Sequence, residues 1–108
     1  MPAHHIAEAR SLAYHAEVAK RLRENPTILE EARARVRVWL ARPTGGPHYA
    51  REWASVLSGS VESIAAFLVD RGERARELRQ STPFAGVLAP TERWRIWRDT
   101  RAAMENRA

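Results

Sequence analysis

The sequence predicts an all-α protein, a compact bundle of about five to six short helices with an extended apolar strap before the last helix. Apolar residues recur at helical spacing through most of the chain, and no apolar–polar alternation is long enough to build a sheet. The length of 108 residues fits a single domain. Within it, we expect residues 1–80 to form the bundle and residues 81–108 to form the strap and a C-terminal helix that packs on the bundle or on a partner.

Two long helices are predicted on either side of a proline. The first runs from about Ile6 to Arg23 and ends before Pro26, because a proline displaces the preceding residue from the α region. Its apolar face is rich in alanine, so a partner helix can approach closely; this face comprises Ile6, Ala9, Leu12, Ala13, Ala16 and Ala19. The second helix begins at a Thr27–Glu30 capping box and runs to about residue 41.

Three shorter helices are predicted in the middle of the chain, after a loop at residues 42–47 that is dense in turn formers. The first spans about residues 49–57. Ser60 is the expected N-cap of the next, and Gly72 is its expected left-handed C-cap. A short, highly charged helix follows over about residues 73–80.

The segment at residues 81–89 contains proline and glycine and has no helical period, so we predict an extended strap. Its apolar residues have no helical face on which to be buried; they are Pro83, Phe84, Val87 and Leu88. They pack over the protein's own core or lie in a groove on another protein, and the sequence leaves both alternatives open. Pro90 is expected at the first position of the last helix, about Thr91 to Met104.

Composition limits the chemistry available to the chain. There is no cysteine, which excludes disulfides and thiolate sites, and the net charge of +5 favours an acidic partner such as nucleic acid or an acidic protein surface. Lys20 is the only lysine among 18 basic residues, so the charge is explained equally well by a solvated surface composed of arginine. The N-terminus lacks the apolar segment of a signal peptide, and no apolar run is long enough for a membrane span, so we expect a cytoplasmic protein without membrane contact.

No arrangement of residues predicts catalysis, a cofactor or a metal site. His4 and His15 can share a helix face, but they lie roughly 16 Å apart along the axis, too far to bind one metal ion. Gly59-Ser60 resembles the start of a nucleotidyltransferase motif, but the chain has only two aspartates, Asp70 and Asp99, and they are not paired. We therefore expect a binding protein and not an enzyme.

Duplex DNA is one candidate partner. The turn at residues 58–60 resembles a helix-turn-helix in outline, but the helix after it carries almost no basic residues that could contact phosphates or bases. Arg33, Arg35 and Arg37 are the better candidates for DNA binding. A plain solvated surface explains these arginines as well.

The last helix carries a second candidate surface. Trp94 and Trp97 lie among arginines, and tryptophan and arginine are enriched at protein–protein hot spots. The pair could equally belong to the core, with arginine stems stacked over the rings. The sequence leaves this choice open.

The C-terminal part resembles that of small bacterial proteins that form the antitoxin half of toxin–antitoxin operons. The resemblance is carried by Leu78-Arg79-Gln80-Ser81-Thr82-Pro83-Phe84-Ala85-Gly86-Val87-Leu88 and by Glu92-Arg93-Trp94; Glu52-Trp53, the Gly59-Ser60 turn and the basic helix near the start are also similar. The resemblance covers about the last two-thirds of the chain. One departure is Ala89, where a capping hydroxyl is expected.

This resemblance implies an antitoxin that docks on a toxic enzyme encoded by an adjacent gene and covers its active site, and that also binds its own promoter DNA. Arg93 and Arg98 would pair with acidic groups of the toxin. The remaining partner-binding residues would be Pro83, Phe84, Gly86, Leu88, Trp94 and Trp97. The alternatives are a DNA-binding transcriptional regulator acting alone, and a homodimer or larger scaffold assembled through the alanine-rich first helix.

Overall fold

Six α-helices form the part of the chain that the computed structural model describes, residues 3–107, with side chains described for residues 5–106. This part contains no strand, which confirms the predicted all-α fold. The helices are α1 (Ala3–Glu24), α2 (Pro26–Leu40), α3 (His48–Leu57), α4 (Val61–Leu68), α5 (Glu73–Arg79) and α6 (Pro90–Arg107). None of the described helices has both the length and the apolarity needed to cross a membrane.

Local signals set the starts of α4 and α6. The Ser60 side chain accepts a hydrogen bond from the N–H of Ser63 at 3.1 Å, which confirms the predicted cap of α4. Pro90 is the first residue of α6, as expected. The Glu92 carboxylate accepts a hydrogen bond from the N–H of Ala89 at 3.0 Å. This bond supplies half of a capping box at a helix start that lacks the usual hydroxyl.

The predicted capping box of α2 is wrong. The helix begins one residue earlier, at Pro26, and the N-cap is Asn25, whose side chain accepts a hydrogen bond from the N–H of Thr27 at 3.1 Å. Proline is favoured at the first helical position because its missing N–H would have no partner inside the helix. The link between α1 and α2 is therefore the single residue Asn25.

Gly72 also has a different role from the one predicted. It does not end α4 in the left-handed region, because α4 ends at Leu68 and Gly72 has a φ of −67°. Instead it is the N-cap residue of α5, and its N–H donates to the Asp70 side chain at 2.6 Å. The turn between α4 and α5 is thus held by an aspartate turn rather than by a glycine C-cap.

Trp53 on α3 is at the centre of the core and is fully buried. Its indole N–H donates to the Leu78 carbonyl oxygen at 3.1 Å, and its ring makes edge contacts with Phe67 and Phe84. The buried tryptophan therefore has its one polar group satisfied. The other members of the buried core cluster are Val18, Ala19, Leu22, Leu29, Ala32, Val36, Leu57, Ile64, Ala65, Leu68, Leu78 and Phe84.

The buried face of α1 differs from the predicted one. The core side of this helix is formed by His15, Val18, Ala19 and Leu22, and only Ala19 of these was expected there. Burying valine and leucine removes more apolar surface from water than burying alanine methyl groups. The stripe of α1 that contains Val18 and Leu22 therefore packs against α4 more favourably than the alanine-rich stripe would. The alanine-rich face is left partly exposed, and Ala16 on it is exposed to solvent.

Candidate functional site

The 81–89 segment is non-helical, as predicted, but it forms successive turns rather than an extended strap. Pro83, Phe84 and Leu88 are buried in it, and Phe84 has no exposed surface. The structure thus decides the alternative that the sequence left open, in favour of the core. Because these three side chains are buried, the expectation that they anchor a partner is corrected: they cannot reach one in this fold.

Three polar side chains attach the 81–89 segment to the bundle. The Tyr14 hydroxyl donates to the Phe84 carbonyl oxygen at 2.6 Å. From α2, Arg35 donates to the carbonyl oxygens of Pro83 at 2.6 Å and Ala85 at 2.9 Å. These bonds satisfy backbone groups that have no secondary-structure partner. Sequence reasoning missed this role of Arg35, because its partners lie about 50 residues away.

His15 is the third attachment. Its Nδ1 lies 2.7 Å from the Ser11 carbonyl oxygen, which can only accept, so Nδ1 carries the proton. Its Nε2 therefore accepts from the Thr82 hydroxyl at 2.8 Å, and the Thr82 oxygen in turn accepts from the N–H of Phe84 at 3.1 Å. Burial is the main cause that lowers the pKa of His15 from 6.5 to about 4. The imidazole is neutral at neutral pH and acts as a structural connector.

The arginines proposed for DNA binding are largely engaged within the chain. Arg33 donates to the Leu57 carbonyl oxygen at 2.9 and 3.0 Å, and so caps the C-terminal end of α3. Arg35 and Arg37 are both exposed, but Arg35 is bonded to the 81–89 segment and Arg37 is not. Two of the three guanidinium groups are thus bonded to backbone oxygens, and DNA binding by this set stays a prediction.

Helix α6 presents the most exposed aromatic surface in the described structure. Trp94 and Trp97 stack with ring centres 5.0 Å apart and planes 14° apart, and Trp94 is 58% exposed. The guanidinium carbon of Arg10 on α1 lies 3.8 Å from the centre of the Trp97 ring. The two tryptophans therefore lie outside the core but are held in place: Arg10 of α1 packs over Trp97, and Trp94 stacks on Trp97 and faces solvent.

Arginines surround this tryptophan pair. Arg93, Arg95 and Arg98 are exposed, and Arg98 lies 3.8 Å from Asp99 in an exposed ion pair. We call Arg93, Trp94, Trp97 and Arg98 the α6 surface. Of the predicted partner-binding residues, these four share one helix and Gly86 lies apart from them, exposed in a turn with a φ of +83°.

Among the described helices, α1 is the one against which α6 packs. Within the described residues α6 contacts α1 and no other helix, and none of its side chains is fully buried. An ion pair between Arg21 and Glu92 secures its N-terminal end, and this pair lowers the pKa of Glu92. A helix packed on one side only leaves most of its circumference free for another molecule.

No group of three or more histidine, aspartate or glutamate side chains within the described residues is arranged to hold a metal ion. The side chain of His4, considered above as a ligand, lies outside the described residues.

Compared with known protein families, with curated proteins and with solved structures, the chain matches none of them.

Proposed function

We propose that this protein is a non-catalytic, cytoplasmic antitoxin that binds a toxin encoded by an adjacent gene, and that it docks through the α6 surface. The observation that carries the docking site is Trp94, which is 58% exposed yet stacked at a fixed angle on Trp97. The toxin as partner rests on the resemblance of the C-terminal segment to antitoxins. The mechanism is steric: α6 covers the active site of the toxic enzyme.

An exposed, ordered indole is well suited to binding. Exposed tryptophan leaves apolar surface in water, and burying it against a partner releases about 25 cal/mol for each Å² covered. Because Trp97 and Arg10 already hold the stack, little side-chain entropy is lost when a partner covers Trp94. Tryptophans of this kind form the centre of interface hot spots.

The charge of the α6 surface favours an acidic partner. Arg93 and Arg98 lie on either side of the tryptophan pair in the sequence, and both are exposed. Arginine binds carboxylates in a two-pronged geometry, so acidic groups around the active site of an enzyme would be suitable partners. The net charge of +5 also favours an acidic partner, because long-range electrostatic attraction speeds the encounter of oppositely charged proteins.

The proposed mechanism divides the resembling segment into two parts. Phe84 and Leu88 shape the protein's own core, while the residues from Arg93 onwards meet the partner. A chain shortened before residue 83 would lose core residues, so failure of such a variant would report on folding. Single substitutions on the α6 surface are the sharper test.

The test is a growth assay in a host cell that expresses the adjacent gene together with this protein. The unaltered chain should relieve toxicity, and Trp94→Ala should not, because loss of a hot-spot residue costs about 2 kcal/mol or more, roughly 30-fold in affinity. Val38→Ala is the matched control, since Val38 is 66% exposed on α2, away from the α6 surface.

Each result bears on a separate part of the proposal. A harmless adjacent gene would overturn the antitoxin assignment. Full rescue by Trp94→Ala would overturn the α6 surface as the docking site. Steeply salt-dependent binding to duplex DNA without any rescue would instead favour a transcriptional regulator.

A further inference from the structure

A groove of about 590 Å³ runs along the part of α1 that the core does not use. Its floor is the alanine-rich face of α1, including Ala9, Ala13 and Ala16. One wall is the C-terminal half of α6, with Thr100, Ala103 and Met104, and the other is formed by the end of α4, the following turn and α5, with Val69, Arg71, Arg76 and Arg79.

The groove is open because its two walls do not contact each other. Within the described residues α6 packs on α1 only, while α4 and α5 also pack on α1 but do not contact α6. The lining residues of α1 run from His5 to Ala16, a length of roughly 16 Å at 1.5 Å per residue. That length corresponds to about three turns of a further helix lying along α1.

One wall of the groove is strongly basic. Arg71, Arg76 and Arg79 line it, and the carboxylate among the lining residues is Glu8, whose oxygen is 3.7 Å from the Nε atom of Arg76. Arg79 is only 6% exposed, and its Nη1 donates to the carbonyl oxygens of Leu68 and Asp70 at the end of α4. Within the described part of the chain, Arg71 and Arg79 form no direct ion pair with a carboxylate, and Asp70 and Glu8 attract the charge of Arg79 from a greater distance. The groove lining contains three arginines and one glutamate, so it has an excess of positive charge.

We propose that the groove receives an acidic amphipathic helix of the partner protein. Small apolar residues of that helix would lie against Ala9, Ala13 and Ala16, and its carboxylates would face Arg71 and Arg76. The partner protein itself rests on the proposed function, but the groove is a second contact, distinct from the α6 surface. The two sites would hold the partner on both sides of α6.

The geometry favours a helix over other occupants. A floor of alanine methyl groups lets a helix backbone approach closely, as in helix-in-groove recognition. A hydrocarbon chain needs enclosure, whereas this groove is open to solvent and Ala16 and Ala103 in it are exposed. A second copy of this chain also has a net charge of +5, and like charges repel, so it is a less suitable occupant than an acidic helix.

The experiment measures binding of a labelled synthetic peptide to the full chain by fluorescence anisotropy. The probe is an amphipathic helix of about 14 residues, with alanine and leucine on one face and glutamate on the other. The comparison peptide has lysine in place of every glutamate. We expect the glutamate peptide to bind at least about tenfold more tightly than the lysine peptide.

Variants locate the binding. Ala16→Trp should weaken binding of the glutamate peptide about tenfold by filling the groove, whereas Ala102→Trp, at an exposed position of α6 outside the groove, should leave it unchanged. Arg71→Glu with Arg76→Glu should reverse the preference between the two peptides. The matched charge control is Arg51→Glu at an exposed site on α3.

Several results would overturn the proposal. Equal binding of both peptides, or no binding of either, would exclude charge-directed helix recognition. An unchanged affinity of Ala16→Trp would place binding elsewhere. Sedimentation as a dimer that Ala16→Trp dissociates would assign the groove to a second copy, and saturable binding of dodecanoate without peptide binding would assign it to a lipid-like anion.

The growth assay and the peptide assay can fail separately. Trp94→Ala should bind the glutamate peptide with unchanged affinity, since Trp94 does not line the groove. If Trp94→Ala fails to relieve toxicity and no peptide binds, the groove is not a helix-binding site, but the proposed antitoxin function is supported. If the peptide binds but the adjacent gene is harmless, the antitoxin assignment is overturned and the groove is supported as a helix-binding site.

Discussion

Protonation of His15 should destabilise the fold as the pH falls below about 7. In the native state Nδ1 donates to Ser11 and Nε2 accepts from Thr82, so the ring has no site for a second proton without breaking the Thr82 bond. Burial and the positive charge of Arg79 add to this cost. The perturbation is therefore a simple change of pH.

The size of the effect follows from the two pKa values of His15, 6.5 in the unfolded chain and about 4 in the folded protein. The native pKa is depressed and the favoured form is neutral, so the stabilisation is complete above about pH 7 and declines as the unfolded chain takes up a proton. At about pH 5 the unfolded imidazole is almost fully protonated and the folded one hardly at all. The loss of unfolding free energy by then is about 2 kcal/mol, rising to about 3 kcal/mol near pH 4.

Urea unfolding at about pH 7.5 and about pH 5 measures this loss. The comparison protein is His15→Gln, whose amide does not titrate, so the quantity of interest is the difference in pH dependence rather than in stability itself. The lower limit of about pH 5 is chosen because Glu62 and Glu92 have lowered pKa values and stay ionised there. Equal pH dependence in the two proteins, or an NMR titration of His15 in the native protein with a midpoint near 6.5, would refute the reasoning.

Three further predictions concern residues whose roles the tertiary structure defines. Phe84→Ala should lower the unfolding free energy by about 3–5 kcal/mol, because the ring is fully buried, and a loss under 1 kcal/mol would contradict its place in the core. Arg35→Met should cost about 0.5–1.5 kcal/mol, because two carbonyl oxygens lose their donor, whereas Arg37→Met, at an equally exposed position that is not bonded to the 81–89 segment, should be nearly neutral; equal losses in urea unfolding would show that the Arg35 bonds do not stabilise the fold. Gly46→Ala should be more damaging than Gly86→Ala, because both glycines have φ near +80° but only at Gly46 would a Cβ collide with backbone, and a reversed order of melting temperatures would contradict this.

The helices themselves could be predicted from the sequence because their signals are local. Ser60 starts α4 through a hydrogen bond from the N–H of Ser63, and Pro90 suits the first position of α6 because its φ is fixed and it has no N–H to satisfy. Both signals depend on near neighbours only. The same local reasoning was wrong at Gly72, where two uses of a glycine compete and the better one depends on where the next helix packs. Helix number and approximate bounds were therefore predictable, while some caps were not.

The candidate site was likewise predictable only in part from the sequence. Trp94 and Trp97 could be found from residue type and spacing alone, because they share one helix face. The exposure of Trp94 could not be predicted, because it depends on α6 contacting no helix other than α1 within the described residues. The groove was equally hidden: its alanine face was visible in the sequence, but it was expected to be covered.

By itself, the sequence determined an all-helical chain with an apolar, non-helical segment before its last helix, because helical periodicity and turn residues act over a few positions. Tertiary structure alone decided that Phe84 lies in the core and that Arg33 and Arg35 donate to backbone oxygens. It also decided that α1 buries His15 and Leu22 and leaves most of its alanine-rich face partly exposed. The physical reason is that α1 carries two apolar stripes, both at helical spacing. Which one is buried depends on the total surface that α4 and the 81–89 segment remove from water, and that sum includes residues about 50 to 70 positions away.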